Sequence, residues 1–289
     1  MNADRRSLTG WIAVWTACLS LALPAGGSAA NVATDTSATD ASATDMSAPD
    51  AKAILQRAFA NQYDVNIKAN IELRMTNNSG KERTRRFEAL QKIIGDRHHA
   101  IGRLTHPEYL RGMTILQIES EETGHEAFIY MPSLRKVRRI SMLQRGDSLF
   151  GTDVTYEDLE RRHVSDYTIA GLNEGSLREP VFIIETRPTR AINNERVVFY
   201  IAQSDDVILE IRYYKNDSPD PFRSVSVTRT GMIEADGHHL ATRLTVRNLS
   251  RGTTTEVTFS DMTINPPIDD RVFSLRTLEQ ERDLFRSFR

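Results

Sequence analysis

From Val65 to Thr76 apolar and polar residues alternate without a break: Val65, Ile67, Ala69, Ile71, Leu73 and Met75 stand against Asn66, Lys68, Asn70, Glu72, Arg74 and Thr76. Successive side chains of an extended strand point to opposite faces, so the pattern specifies a long strand with one dry face and one wet face. Such a strand needs neighbours, and the rest of the chain supplies them. Turn compositions recur at Asn77-Asn78-Ser79-Gly80, Gly95-Asp96, Thr123-Gly124, Asn193-Asn194, Asp205-Asp206, Asp236-Gly237 and Arg251-Gly252. Between them lie strand candidates at 114–119, 127–131, 181–186, 196–203, 207–213, 240–246 and 256–259. The sum is roughly ten to thirteen strands joined mostly by hairpins, with no strand–helix alternation. The expected fold is mainly β, a single large curved antiparallel sheet with little helix.

One helix precedes it. Ile54, Leu55, Ala58 and Phe59 recur at helical spacing behind Ser47 and Pro49, which predicts an amphipathic helix ending near Tyr63. Residues 197–202 are apolar on both faces, so the inner side of that strand has to meet either a helix or a cavity filled by another apolar body.

The N-terminal fifth has a different character. Arg5 and Arg6, an apolar run from Trp11 to Leu23 and small residues around Ser28, Ala29 and Ala30 predict a secretory signal over 1–30. Residues 31–49 repeat Ser, Ala, Thr and Asp, and bury too little to offset their ordering entropy, so they are expected to be a disordered linker to a domain over 50–289. The lone cysteine, Cys18, falls within the signal, leaving no disulfide and no thiolate metal site downstream. A net charge of -2 argues against nucleic acid as a partner. A chain that is soluble once exported is the expectation.

Chemistry is suggested at one place. Gly146-Asp147-Ser148-Leu149 spells the nucleophile block of GDSL esterases, and Asp236 and His239 have the spacing of the remaining triad members. That hydrolase needs its serine between a parallel strand and a helix, beside an oxyanion hole, and none of that scaffold is legible. Asp236-Gly237 has the composition of a two-residue hairpin turn. His98-His99 and His238-His239 are adjacent in strands, so each pair points to opposite faces and cannot share an ion; exposed polar positions are expected there. Glu119, Glu121 and Glu122 read as a solvated strand end. No catalytic residue, metal or cofactor is expected.

The central block carries three words in order: Leu110-Arg111-Gly112, then residues 128–140 (FIYMPSLRKVRRI), then residues 151–158 (GTDVTYED). Together they resemble the LolA-like family of outer-membrane lipoprotein-sorting proteins, with departures at Phe128, Met131, Thr152 and Val154, where the family favours Trp, Leu, Ser and Phe. The resemblance implies an incomplete β-barrel closed by short helical lids over a hydrophobic cavity that takes acyl chains, and a partner among RND-type exporters. It thus implies a non-enzymatic periplasmic carrier of lipid or lipoprotein. An envelope adaptor whose cavity is filled by its own side chains is the alternative, with the exported esterase behind it.

On this basis the cavity candidates are Ile67, Ile71, Leu73, Met113, Ile115, Phe128 and Tyr130, and the lid candidates are Leu149 and Phe150. Asp153, Glu157 and Asp158 are expected to pair with the cluster Arg135, Lys136, Arg138 and Arg139, pinning the intervening loop to the sheet. In a second version Arg138 or Arg139 meets a lipid headgroup or an acidic partner. Arg111 and Tyr156 complete the motif candidates.

Overall fold

The computed structural model describes residues 48–121, 124–190, 194–215, 218–280 and 284–285. The signal at 1–30 and nearly all of the linker at 31–49 lie outside the described residues. Helix α1 (Ala48–Tyr63) comes first. Six strands follow: β1 (Ile67–Thr76), β2 (Glu82–Ile94), β3 (Arg97–His106), β4 (Thr114–Ser120), β5 (Gly124–Met131) and β6 (Lys136–Ile140). An irregular stretch over 141–166, punctuated by single 3-10 turns, leads to β7 (Tyr167–Ser176), β8 (Pro180–Pro188), β9 (Arg196–Ala202), β10 (Ile208–Tyr214) and β11 (Arg223–Val227). The chain ends through β12 (Ile233–Ala235), β13 (His238–Leu240), β14 (Arg243–Asn248), β15 (Thr253–Ile264) and the one-turn helix α2 (Leu275–Leu278).

Thirteen strands make one antiparallel sheet in the order β6-β5-β4-β3-β2-β1-β15-β14-β11-β10-β9-β8-β7, and β12 with β13 forms a separate hairpin. The sheet curves without closing, so β6 and β7 are its edges: an incomplete barrel. The alternating strand read from sequence is its centre, because β1 pairs with β2 on one side and with β15 on the other. In that register Ile71 lies between Phe87 and Phe259, and Leu73 between Arg85 and Val257. At the hairpin tip Asp236 and Gly237 have φ of 52° and 77°. Two successive positive φ values give the turn whose twist matches paired strands.

The inner face has two coverings. Over β7–β10, α1 inserts Ile54, Leu55, Ala58 and Phe59 against Ile184, Phe199 and Ile211. The Phe59 and Phe199 rings meet edge-on at 5.4 Å. This helix answers the question set by the doubly apolar strand β9; on that strand's opposite face Ala202 joins a small cluster with Val181, Val207 and Leu209. Over β15 and β1–β4, the 141–166 stretch packs Leu149 and Val154 against Leu73, Phe87, Ile115 and Val257. The outer face of the same half is buried too. The C-terminal segment lays Ile268, Val272, Phe273, Leu278 and Leu284 over Leu90, Ile101, Leu116 and Tyr130.

His98 and His99 divide between faces as alternation requires, but the exposed polar positions expected for both pairs are corrected: His98 is buried, and His99, His238 and His239 are half-buried. His98 is 2% exposed and its backbone N–H donates to Glu119 at 2.8 Å, whereas the His99 ring packs on Phe273 of the C-terminal segment. Among the described residues no helix is long and apolar enough to cross a membrane.

Candidate functional site

A stripe of small residues makes the hollow. Ala69 on β1 is in register with Ala89 on β2, and Ala89 with Gly102 on β3, so three neighbouring strands present almost no side chain at one level of the inner face. Ala100 adds a fourth small position one step along β3. Ile71, Leu73, Phe87, Val257 and Phe259 rise around that floor, and α1 and the 141–166 stretch roof it without filling it. The resulting cavity has a volume of about 300 Å³. Its lining is overwhelmingly aliphatic and aromatic; Gln117, Asp158, Arg162 and His239 are among the few polar groups that reach it.

The candidate residues divide. Ile67, Ile71, Leu73 and Ile115 line the cavity, and so does Leu149 from the roof. Met113 packs in the surrounding cluster without lining the cavity. Phe128 and Tyr130 are corrections: they stand on the outer face of β5, under the C-terminal segment. Alternation accounts for this, since Ile115 is in register with Ile129, which leaves 128 and 130 facing the other way. Phe150 does not line the hollow either. Its ring lies 5.6 Å from that of Phe87, in a left-handed turn with φ of 50° at Phe150 and 77° at Gly151. Arg85 Nε donates to the Phe150 carbonyl at 3.1 Å and fixes that turn.

The pairing expected for the motif acids is also corrected. Asp158 is gripped by Arg223 from β11 and takes the Thr155 hydroxyl at 2.9 Å. Arg162 stands 3.8 Å from the other Asp158 oxygen and donates to the Tyr213 hydroxyl at 2.8 Å. Burial by itself drives the Asp158 carboxyl upward, but Arg223, Arg162 and Thr155 prevail and hold it below the usual carboxylate range. Asp153 is buried and accepts from the hydroxyls of Thr253 and Thr255 on β15. Burial, with Asp158 close by, pushes the Glu157 carboxyl up. Gln117 donates to the Tyr156 carbonyl at 2.9 Å. The loop is therefore pinned to the sheet, but from the inner face of the barrel rather than from β6. The basic residues of β6 look elsewhere: Arg139 meets Glu126 at 2.5 Å and Arg138 meets Gln144 at 3.2 Å. Arg135 is exposed, and Arg111 pairs with Glu108 at 2.8 Å.

A second, polar cluster adjoins the roof. Glu119 does not end a solvated strand; His163 Nε2 lies 2.5 Å from its carboxylate and Arg161 3.7 Å. Its burial favours the neutral acid, but His163 and the His98 N–H outweigh that and bring it down to about 2. Arg145 and Glu160 pair alongside. The esterase constellation is not assembled: the Ser148 hydroxyl donates to the Thr152 carbonyl, and the Asp236 carboxylate accepts from Asn265.

Arg223, Arg85 and the small-residue stripe escaped the sequence reading. The stripe had a signal, namely Ala or Gly at inward positions of successive strands. The arginines had none, because their partners are distant in the chain.

A family model described as "Uncharacterized protein" matches residues 96–280. A Vibrio parahaemolyticus domain described as outer membrane lipoprotein-sorting is similar at a TM-score of 0.75 and 19% identity, over 81% of this chain and 100% of that one. A DUF1329 family protein from Desulfovibrio piger is similar at 0.68 and 20% identity, over 74% and 91%. A LolA superfamily protein from Nitrosomonas europaea is similar at 0.63 and 21% identity, over 78% and 98%. No curated protein sequence matches the chain.

Proposed function

Given that the chain belongs to the family whose model spans residues 96–280 and has a LolA-like fold, we propose that it is a non-enzymatic carrier that holds an acyl chain of a lipid or lipoprotein in its inner cavity. The observation that carries this reading is a hollow of about 300 Å³ with an apolar lining, kept open by Ala69, Ala89, Ala100 and Gly102. A packed core has no use for such a stripe, since an unfilled apolar space forfeits dispersion contacts. A chain of about sixteen carbons leaving water for an apolar site gains roughly 12 kcal/mol at about 0.8 per methylene, so binding needs no catalytic group. The name of the Vibrio structure, an outer membrane lipoprotein-sorting protein domain, supports the same class of cargo.

The finer reading places the carrier domain at 50–289, exported by the signal at 1–30, followed by the linker at 31–49, and working in the periplasm as a monomer together with an RND-type exporter. Ile67, Ile71, Leu73 and Ile115 are the wall against which the acyl chain lies, and Leu149 covers it.

Native mass spectrometry of protein purified without detergent, with displacement of a fluorescent fatty acid, tests the proposal. Co-purifying lipid and saturable uptake are expected, and Ala89→Phe with Ala100→Phe should abolish uptake while the fold persists. An unliganded protein that takes up no fatty acid would overturn it.

A further inference from the structure

The basic strand β6 lies at an open edge of the sheet. Residues 127–146 contain no Asp or Glu, and within them Arg135, Lys136, Arg138 and Arg139 all point to solvent. Cations on an edge strand have a plain purpose, to prevent pairing with another sheet. That purpose does not account for what flanks them. Leu134 is 58% exposed at one end, and at the other Met142 is 45% and Leu143 82% exposed. At the Leu134 end, the turn carrying Tyr109, itself 77% exposed, abuts Pro132 through Gly112, whose Cβ position lies 3.3 Å from the proline ring. Four of the largest apolar side chains left in water thus border one cationic strip.

We propose that this edge, from Leu134 to Leu143, docks on the surface of a bilayer containing anionic phospholipid. The combination is the one such a surface selects: cations are drawn by the negative potential of the headgroups, and aliphatic or tyrosyl side chains enter the boundary between headgroups and acyl chains. The strip is a single extended strand of about 17 Å at roughly 3.3 Å per residue, with apolar groups at both ends. A flat sheet of charge satisfies that geometry better than an acidic protein groove, which would need a central apolar contact. The glutamate at 126 occupies part of Arg139 only, and Arg138 has a neutral partner in Gln144, so the strip keeps its positive charge. Past Gln144 the chain runs directly into the 145–166 stretch that roofs the cavity, so docking would set the roof against the membrane. The proposal does not depend on what the cavity holds.

Flotation of the full-length protein with vesicles tests it, comparing phosphatidylglycerol mixed into phosphatidylcholine with phosphatidylcholine alone. Any contribution of the apolar run at 11–23 is common to both vesicle types and to every variant. The wild type should favour the anionic vesicles by more than about tenfold, and that preference should fade as salt is raised. The triple variant Lys136→Glu, Arg138→Glu, Arg139→Glu should lose the preference, and Leu143→Ser with Met142→Ser should weaken binding to anionic vesicles at unchanged charge. Fatty-acid uptake by the same variants reports an intact cavity, so loss of docking and failure of the carrier reading are separable. No preference for anionic vesicles in the wild type, a preference that survives charge reversal, binding indifferent to the Leu143 and Met142 changes, or capture of an acidic protein in place of vesicles would each overturn the proposal.

Discussion

Asp158 and Arg223, 65 residues apart in the chain, meet on the inner face of the sheet, where the Arg223 side chain is 7% exposed and the Asp158 side chain 15%. The pair ties the cavity's roof to β11, and Arg223 also donates to the Asp153 carbonyl at 3.3 Å. A buried pair that loses one member leaves the other charge stranded, whereas replacing both by apolar groups is often tolerated. Arg223→Met is accordingly expected to cost about 3–5 kcal/mol. Arg223→Met with Asp158→Leu should recover much of that loss. Urea unfolding of the two variants checks this.

The pH dependence of stability should be set on the acid side by two histidines. Burial lowers His98 to about 3 and His125 to about 4, so both stay neutral in the folded protein well below pH 6.5. The unfolded chain takes up those protons near pH 6.5, so the stability these groups allow is fully present above that value and is lost as pH falls toward 4 and then 3. His163 acts in the opposite sense. Its hydrogen bond to Glu119 raises it, so its contribution is present below pH 6.5 and is lost as pH rises through its folded value. Thermal melts from pH 4 to 8 should show a falling acid limb that His125→Gln flattens, while His163→Gln removes stability chiefly at acidic and neutral pH.

Phe59 should be the most sensitive position of α1. Its ring contacts Phe199 at 5.4 Å and Tyr167 at 5.9 Å, and it is 4% exposed. Phe59→Ala is expected to cost about 3–5 kcal/mol. Removal of the exposed pair Arg57 and Asp206 by Arg57→Ala should cost less than about 1 kcal/mol. Calorimetry of the two variants separates a helix held by packing from one held by charge.

The two faces of the first half-sheet should respond differently to truncation. Leu278→Ala on the outer face removes a fully buried side chain and is expected to cost about 2–5 kcal/mol while leaving fatty-acid uptake intact. Ile71→Ala on the cavity wall should change uptake at a smaller cost in stability, because its side chain faces a hollow and has fewer contacts to lose. Unfolding and uptake measured on both variants would contradict this assignment of faces if the two effects were exchanged.

How far the sequence reached is clearest at β1. Alternation over 65–76 specified a strand, its dry face and its central length, because side-chain direction is a local property of extended backbone. The Asp236-Gly237 turn was legible for the same reason: positive φ at two successive residues restricts what can stand there. Helix α1 followed from its own periodicity. Boundaries were less exact, since 240–246 reads as one strand and is two, broken between Leu240 and Arg243.

Tertiary structure alone decided which face of the sheet became the cavity. Phe128 and Tyr130 are as apolar as Ile115, and only the position of the C-terminal segment puts them under an outer covering and leaves Ile115 at the hollow. Likewise the motif acids had nearby cations in Arg135 to Arg139, yet Asp158 found Arg223 and Asp153 found Thr253 and Thr255. Periodicity is written residue by residue and survives in the sequence. Curvature, and the partner a buried charge meets across a curved sheet, arise from strands paired over long separations, which no local pattern encodes.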